Sequence, residues 1–468
     1  MSASDLFKLL RDNRAALLVC EAIGWLHMAG KAHPRFLRCH AKDASDDAKP
    51  WDYRRACSAL YERFPTLSIG PNAIPVKNLF EKHADRKGAG GLLGLMQAAH
   101  GMASGIEKTY SSDKSTDYLK QTLADTWLTT AFGYPVQNLM GTSPPAVLGL
   151  GAWSKLEAQI GALVDELAQR ASDPNCNADD PKQVREWIEW RDRAIGKSGW
   201  LREAFTSTLA ETRVPNNDVT LWDQSFIAAA LFKAAAAGAV LTGPSFEWGN
   251  NIKANTRWRV LTIGIGAEHY EARAVRIGDW TGTRQEIAAF FNDVCTFIEV
   301  DLALGSCVYR DERTLAFAFP GERFDRRGSV GDSLAERLRE SIEAKVDELA
   351  KRRDFETPPL VRLSSSTRSF IRMARELTKG RRVLEVPVHR PWSIANDGSR
   401  GKHVCPVTLV RPGEPSNNGS DRKQDVSNSA YNRRTGRRAV WEENGGDTIW
   451  ISEVADENDR VALLTFSL

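Results

Sequence analysis

The residues best suited to chemistry lie near the start of the chain, in GWLHMAGKAH (24–33). A His-Asp phosphohydrolase sets an imidazole and a carboxylate side by side on one helix, so that both bind the same divalent metal. Here His27 is followed by Met28, with Gly30 and Lys31 at the spacing of an HDxGK pattern. A thioether is a poor ligand for magnesium or manganese, so the pair reads as a degenerate site on a helix kept for packing. His33, Cys39 and His40 add soft ligands nearby, at a spacing that matches no standard zinc pattern.

A site of this kind draws a further histidine from a separate helix. The sequence TLWDH would supply it, but the chain reads Thr220-Leu221-Trp222-Asp223-Gln224. Glutamine forms hydrogen bonds but does not normally replace imidazole on a metal. His27, Lys31 and Asp223 therefore read as remnants, and no catalytic residue is assigned.

Three other stretches carry candidate ligands. Arg310-Asp311-Glu312-Arg313 could offer carboxylates to a metal, but a turn flanked by arginines reads as solvated and salt-bridged. Gly445-Gly446-Asp447-Thr448 follows the polar AVWEEN and reads as a plain loop. In HVCPVTLVRP (403–412), Thr408 stands where a zinc knuckle needs a second thiolate, leaving Cys405 as a remnant with no metal assigned. The glycines of KGAGGLLGLMQAAHGMASG (87–105) read as a close-packed helix start, because no strand leads into them.

The elements that must position these residues fall into two textures. Leucines at helical spacing predict a helix over residues 1–30, and another is expected at 51–64. Helices continue to residue 242 with no strand among them. The stretch 211–238 joins the halves: Pro215-Asn216-Asn217-Asp218 is a turn, and Thr220 or Asp218 caps the Ala-rich helix that follows. Beyond it RWRVLTIGIGA reads as a buried strand, TRQEIAAFFNDVCTFIEVDL as a helix, and CVY with TLAFAFP as a hairpin. LAERLRESIEAKVDELAKRRD gives another helix and PLVRLSSST another strand. The order β-α-β-β-α-β is that of a ferredoxin-like domain. Residues 400–445 read as a polar, basic, loop-like insert, and TIWISEVA and VALLTFSL as two strands.

A net charge of +3 is too small to argue for nucleic acid by itself, but basic clusters stand at RRDF, TKGRR and NRRTGRR. Seven cysteines without a CxxC pair suit a reducing compartment. The N-terminal apolar run lacks a cleavage site, and Lys233 interrupts the Ala-rich run. The expectation is a cytoplasmic protein with neither a signal peptide nor a membrane span.

Taken together, EAIGWLHMAGKAH, TRVPNNDVTLWDQSFIAAALFKAA, IGDWTGTRQEI, LGSCVYRDE, HVCPV and TIWISEVADENDRVALL resemble the large subunit of type III CRISPR effector complexes. The similarity covers nearly the whole chain in order and is nearest the divergent branch associated with subtype III-C. It implies an α+β protein in four parts. A degenerate HD-like helical domain (1–245) precedes a first palm of ferredoxin-like fold (246–400). A basic, degenerate zinc-binding insert (401–446) and the first strands of an incomplete second palm (447–468) follow.

The resemblance also implies a guide-RNA complex that senses complementary transcripts. Active members degrade single-stranded DNA with the HD domain and make cyclic oligoadenylate with a Gly-Gly-Asp-Asp palm. With Met28, Gln224 and a lone Cys405, the expected role is a catalytically inactive scaffold. Its partners would be guide RNA, target RNA, other effector subunits and a second polypeptide carrying the remaining palm. Arg433, Arg434, Arg437 and Arg438 would contact phosphates. The alternatives are a metal-dependent HD-type phosphohydrolase acting on single-stranded nucleic acid, and an ATP-binding palm completed by another chain.

Overall fold

A computed structural model of the protein describes residues 3–39, 51–55, 62–106, 127–128, 137–138, 150–210, 219–249, 251–321, 333–414 and 426–443. Helices dominate the first half. α1 (Ala3–Asp12) stops at Asn13, whose side-chain amide donates to Leu9 O, so the long helix expected at the N-terminus is broken before α2 (Arg14–Leu26). α3 (Pro34–Cys39), α4 (Val76–Lys82) and α5 (Gly91–Ala103) follow. Then come α6 (Leu150–Ala171), α7 (Pro181–Ile195), α8 (Trp200–Thr206) and α9 (Leu221–Thr242).

The half expected to lack strands contains a hairpin. β1 (Thr66–Ile69) and β2 (Asn72–Pro75) pair antiparallel, with Leu67 and Ile69 turned inward on alternate positions. Gly70 turns the chain at φ +55°, where a side chain would be strained. A minimal antiparallel pair, β3 (Trp127–Leu128) and β4 (Gln137–Asn138), lies further on. The helix expected at 51–64 is, over its described part, a 3-10 turn at Tyr53–Arg55.

α9 is the central element. Thr220 caps it by accepting from Asp223 N, and the Asp223 carboxylate accepts in return from Thr220 N. Its alanines let neighbours approach closely: a Cβ on Gly24 of α2 would overlap the Ala229 backbone. Leu221–Ser245 is long and apolar enough to cross a membrane, but 78% of that window is buried inside the protein.

The second half adds α10 (Ile252–Asn255), β5 (Trp258–Gly264), α11 (Ala267–Glu271), α12 (Ile277–Cys295), β6 (Cys307–Arg310) and β7 (Thr314–Pro320). α13 (Leu334–Arg352), β8 (Leu360–Leu363) and α14 (Phe370–Val383) complete it. One antiparallel sheet runs β6-β7-β5-β8. The apolar β5 is interior to it, as its continuous hydrophobic run requires. The Trp258 indole donates to Leu231 O at 2.8 Å, fastening the sheet to α9. The chain is thus α+β, with helices first and a β-α-β-β-α-β segment after them.

Residues 401–446 depart from the loop-like expectation, because Asn428–Glu443 form a helix, α15. It packs on α12 where Gly278 and Gly282 leave room; a Cβ at Gly282 would collide with Arg433 O. The two strands expected near the end of the chain lie outside the described residues.

Candidate metal centre

α2 delivers His27 just past its last residue, α4 delivers His83 in the same way, and α5 carries His100 in its final turn. The three imidazoles converge, with one ligand nitrogen from each lying within 4.8 Å of the others. Ring centroids are 4.7 Å apart for His27 and His83, 5.2 Å for His27 and His100, and 4.6 Å for His83 and His100. His27 and His83 are 2% and 1% exposed; His100 is half-buried and opens the cluster outward.

The tautomers follow from the carbonyls. Nδ1 of His27 lies 2.6 Å from Gly24 O and Nδ1 of His83 lies 2.7 Å from Phe80 O. A carbonyl only accepts, so both Nδ1 atoms carry the proton and both Nε2 lone pairs face inward. Imidazole tied at its far nitrogen to a backbone carbonyl is the usual arrangement of a metal ligand. Nε2 of His27 is 3.1 Å from Nδ1 of His100, and Nε2 of His83 is 3.2 Å from the Tyr53 hydroxyl.

Burial, and then the neighbouring His83, hold His27 well below its ordinary value, while burial holds His83 at about 3. At neutral pH both are therefore neutral and able to ligate.

These residues fit a borderline-soft ion. Metal–nitrogen bonds of about 2.0–2.1 Å in a tetrahedron put ligand atoms about 3.4 Å apart, so atoms within 4.8 Å of one another need to close by at most about 1.4 Å. Three nitrogens without a carboxylate suit zinc, nickel or cobalt better than magnesium.

Several sequence expectations change at this point. Met28 is fully buried in the core, and among the described residues no carboxylate joins the cluster. Gln224 is not part of the cluster: its Oε1 accepts from Lys31 Nζ at 3.0 Å, and Lys31 also donates to Ala210 O. Asp223 is exposed and its carboxylate completes the capping box with Thr220 at the start of α9, away from the histidines. His33 turns away from His27 to stack on Trp51 at 4.3 Å, and its Nδ1 accepts from Arg35 N. His40 lies outside the described residues, as does the side chain of Cys39.

Lys31 does stay beside the centre. Its amine lies 5.3 Å from the centre of the Tyr53 ring, whose hydroxyl touches His83. Sequence reasoning passed over His83 and His100, which lie outside any metal motif. The available signal was an isolated histidine at the end of a short amphipathic helix and another at the end of an apolar one.

The basic insert changes as well. Arg433 is 6% exposed and pairs with Glu356 at 2.8 Å, while Arg434 pairs with Asp279 at 2.7 Å. Both guanidiniums are committed to carboxylates inside the protein, which corrects their assignment to RNA phosphates. Arg437 and Arg438 lie on α15, but their side chains fall outside the described residues. Cys405 is buried in a small core with Val426 and Ala430, where its sulfur accepts from Thr408 N. At the hairpin turn, Asp311 accepts from Arg313 N, Thr314 N and the Tyr309 hydroxyl, and Glu312 pairs with Arg284, the salt-bridged turn expected. Gly445, Gly446 and Asp447 lie outside the described residues.

No known protein family, curated protein or solved structure matches the chain.

Proposed function

We propose that the chain is the large-subunit scaffold of a guide-RNA-directed type III CRISPR antiviral complex, holding guide and target RNA against the other subunits. The observation that carries this reading is the antiparallel sheet β6-β7-β5-β8, built in β-α-β-β-α-β order and fastened to a preceding helical half through α9. That order is the ferredoxin-like one of a palm, and it stands where the sequence resemblance requires a first palm. The test is affinity purification of the tagged chain co-expressed with its neighbouring genes and a guide-encoding array. Guide RNA and other subunits should be recovered with it; a chain that purifies alone would sink the reading.

A second reading is favoured by the three histidines: a metal-dependent phosphohydrolase acting on single-stranded nucleic acid. When bound, a divalent ion would supply a Lewis acid for a phosphoryl oxygen. The protein's own part is to hold His27 and His83 in one tautomer, to keep them neutral, and to place the Lys31 charge nearby. Cleavage of single-stranded DNA or RNA with manganese, nickel or zinc, lost in His27→Ala and His83→Ala, would establish this activity. Its absence with all three ions leaves the scaffold alone.

A further inference from the structure

The cluster TKGRR, which the sequence reading left unused, falls at the end of α14. Ser369 caps that helix by accepting from Arg372 N. Met373, Leu377, Gly380 and Leu384 form its inner face; Gly380 sits on Thr262 of β5, where a Cβ would be 3.0 Å from the Thr262 methyl. The outer face carries Arg372, Arg375, Lys379 and Arg382, all exposed. Their spacing of three, four and three residues is that of a single helical stripe. It extends over about 15 Å at 1.5 Å per residue.

The stripe is compensated only in part. Lys379 reaches Glu376 at 2.6 Å, an acid shared with Arg362. Arg372, Arg375 and Arg382 have no carboxylate partner among the described residues. On α13, by contrast, Arg339 pairs with Glu336 and Glu343, and Lys345 with Glu348. Like charges three or four residues apart destabilise a helix by about 0.2–0.5 kcal/mol per pair. α14 bears three such pairs in succession, a pattern that a polyanion would relieve. Beside its C-terminal end a cavity of about 260 Å³ is lined by Glu268, Arg313, Thr378, Arg381, Arg382 and Glu385, with Arg313 paired to Glu268 and Arg381 to Asp311.

We propose that the outer face of α14 binds the sugar-phosphate backbone of a single-stranded nucleic acid. Arg372, Arg375 and Arg382 hold successive phosphates, and the cavity accepts the base of one unstacked nucleotide. The inference rests on the proposed role in an RNA-guided complex and moves the phosphate contacts from α15 to α14.

The test uses the full chain and labelled single-stranded RNA and DNA of mixed sequence, with binding read by fluorescence anisotropy across a salt series. Arg372→Glu/Arg375→Glu/Arg382→Glu should weaken binding about tenfold or more and reduce the salt slope by about 2, since each single-strand phosphate contact contributes about 0.7 to it. Arg352→Glu on α13 serves as the charge control, and the gentler triple change to Gln guards against misfolding. Wild-type affinity and slope in both triple variants would overturn the inference, as would failure of the wild-type chain to bind either strand. Loss of binding in the triple variants, from a chain that nonetheless recovers no guide RNA on co-expression, would uphold the α14 surface and remove the CRISPR reading.

Discussion

α2 carries two buried polar clusters six residues apart, and they are built on opposite principles. Glu21, fully buried, accepts from Arg191 at 3.0 Å, Lys233 at 2.9 Å and the Ser306 hydroxyl at 2.6 Å. Arg191 also reaches Glu299, which accepts in turn from Cys307 N. Carboxylates and cations from α2, α7, α9 and the segments flanking β6 answer one another, which joins the two halves of the molecule. In the cluster of His27, His83 and His100, by contrast, the inward-facing Nε2 lone pairs accept from neutral donors, His27 from His100 Nδ1 and His83 from the Tyr53 hydroxyl. A saturated cluster is a joint. A neutral one, whose lone pairs accept only from an imidazole and a phenol that can turn aside, has capacity for a cation.

The largest separation should appear in metal affinity. Titration with zinc or nickel, followed by calorimetry, should show one bound ion per chain. Loss of a group that only orients a ligating imidazole already costs about 10–100-fold in affinity, so His27→Ala or His83→Ala should exceed that range. Glu21→Ala should leave the metal affinity within a few-fold. Equal loss in all three variants would mean that the clusters do not differ in kind.

Stability should rank them the other way. Removing one partner of a buried ion network costs about 3–5 kcal/mol, so Glu21→Ala should shift the urea midpoint strongly. Metal-free His27→Ala should cost less, because it takes away a neutral ring and strands no buried charge. A larger loss for His27→Ala would reverse the comparison.

Acid should reach the histidines first. The unfolded chain protonates His83 near pH 6.5, whereas in the folded protein burial delays this to about 3. The contribution is intact above pH 6.5 and declines as pH falls towards 3, at about 1.4 kcal/mol per pH unit for each such group. At Glu21 burial pushes the carboxyl up, but Arg191 and Lys233 outweigh it and hold it at about 2. Its stabilisation is present above pH 4.5 and is lost as pH falls through about 2. His83→Gln should therefore flatten the unfolding profile between pH 6 and 4 and leave the lower limb unchanged. A profile identical to wild type would remove the neutral-imidazole account.

The same contrast explains what was legible in the sequence. The capped start of α9, the buried run of β5 and the β6–β7 hairpin were readable because each depends on residues close together in the chain. The metal centre depends on three residues from three helices, and its apparent motif pointed elsewhere: Gln224 faces Lys31, and Asp223 caps α9. Arg433 and Arg434 looked like a solvent-facing basic cluster because their acids, Glu356 and Asp279, lie far off in sequence. The β1–β2 hairpin was missed because two four-residue strands leave only a short alternation to detect.

The smallest effect is also the most discriminating. The Tyr53 hydroxyl lies 3.2 Å from His83 Nε2, the atom a metal would take. With Nδ1 committed to Phe80 O, that lone pair is the acceptor and the phenol the donor. Tyr53→Phe removes one hydrogen bond, so the metal-free protein should lose about 0.5–1.5 kcal/mol. The same change frees Nε2, so zinc or nickel should bind at least as tightly as in wild type. A structural hydrogen bond within an ordinary core would give the first result alone. The metal centre requires opposite signs, a less stable empty protein with undiminished affinity, and weaker metal binding in Tyr53→Phe would place the ion elsewhere.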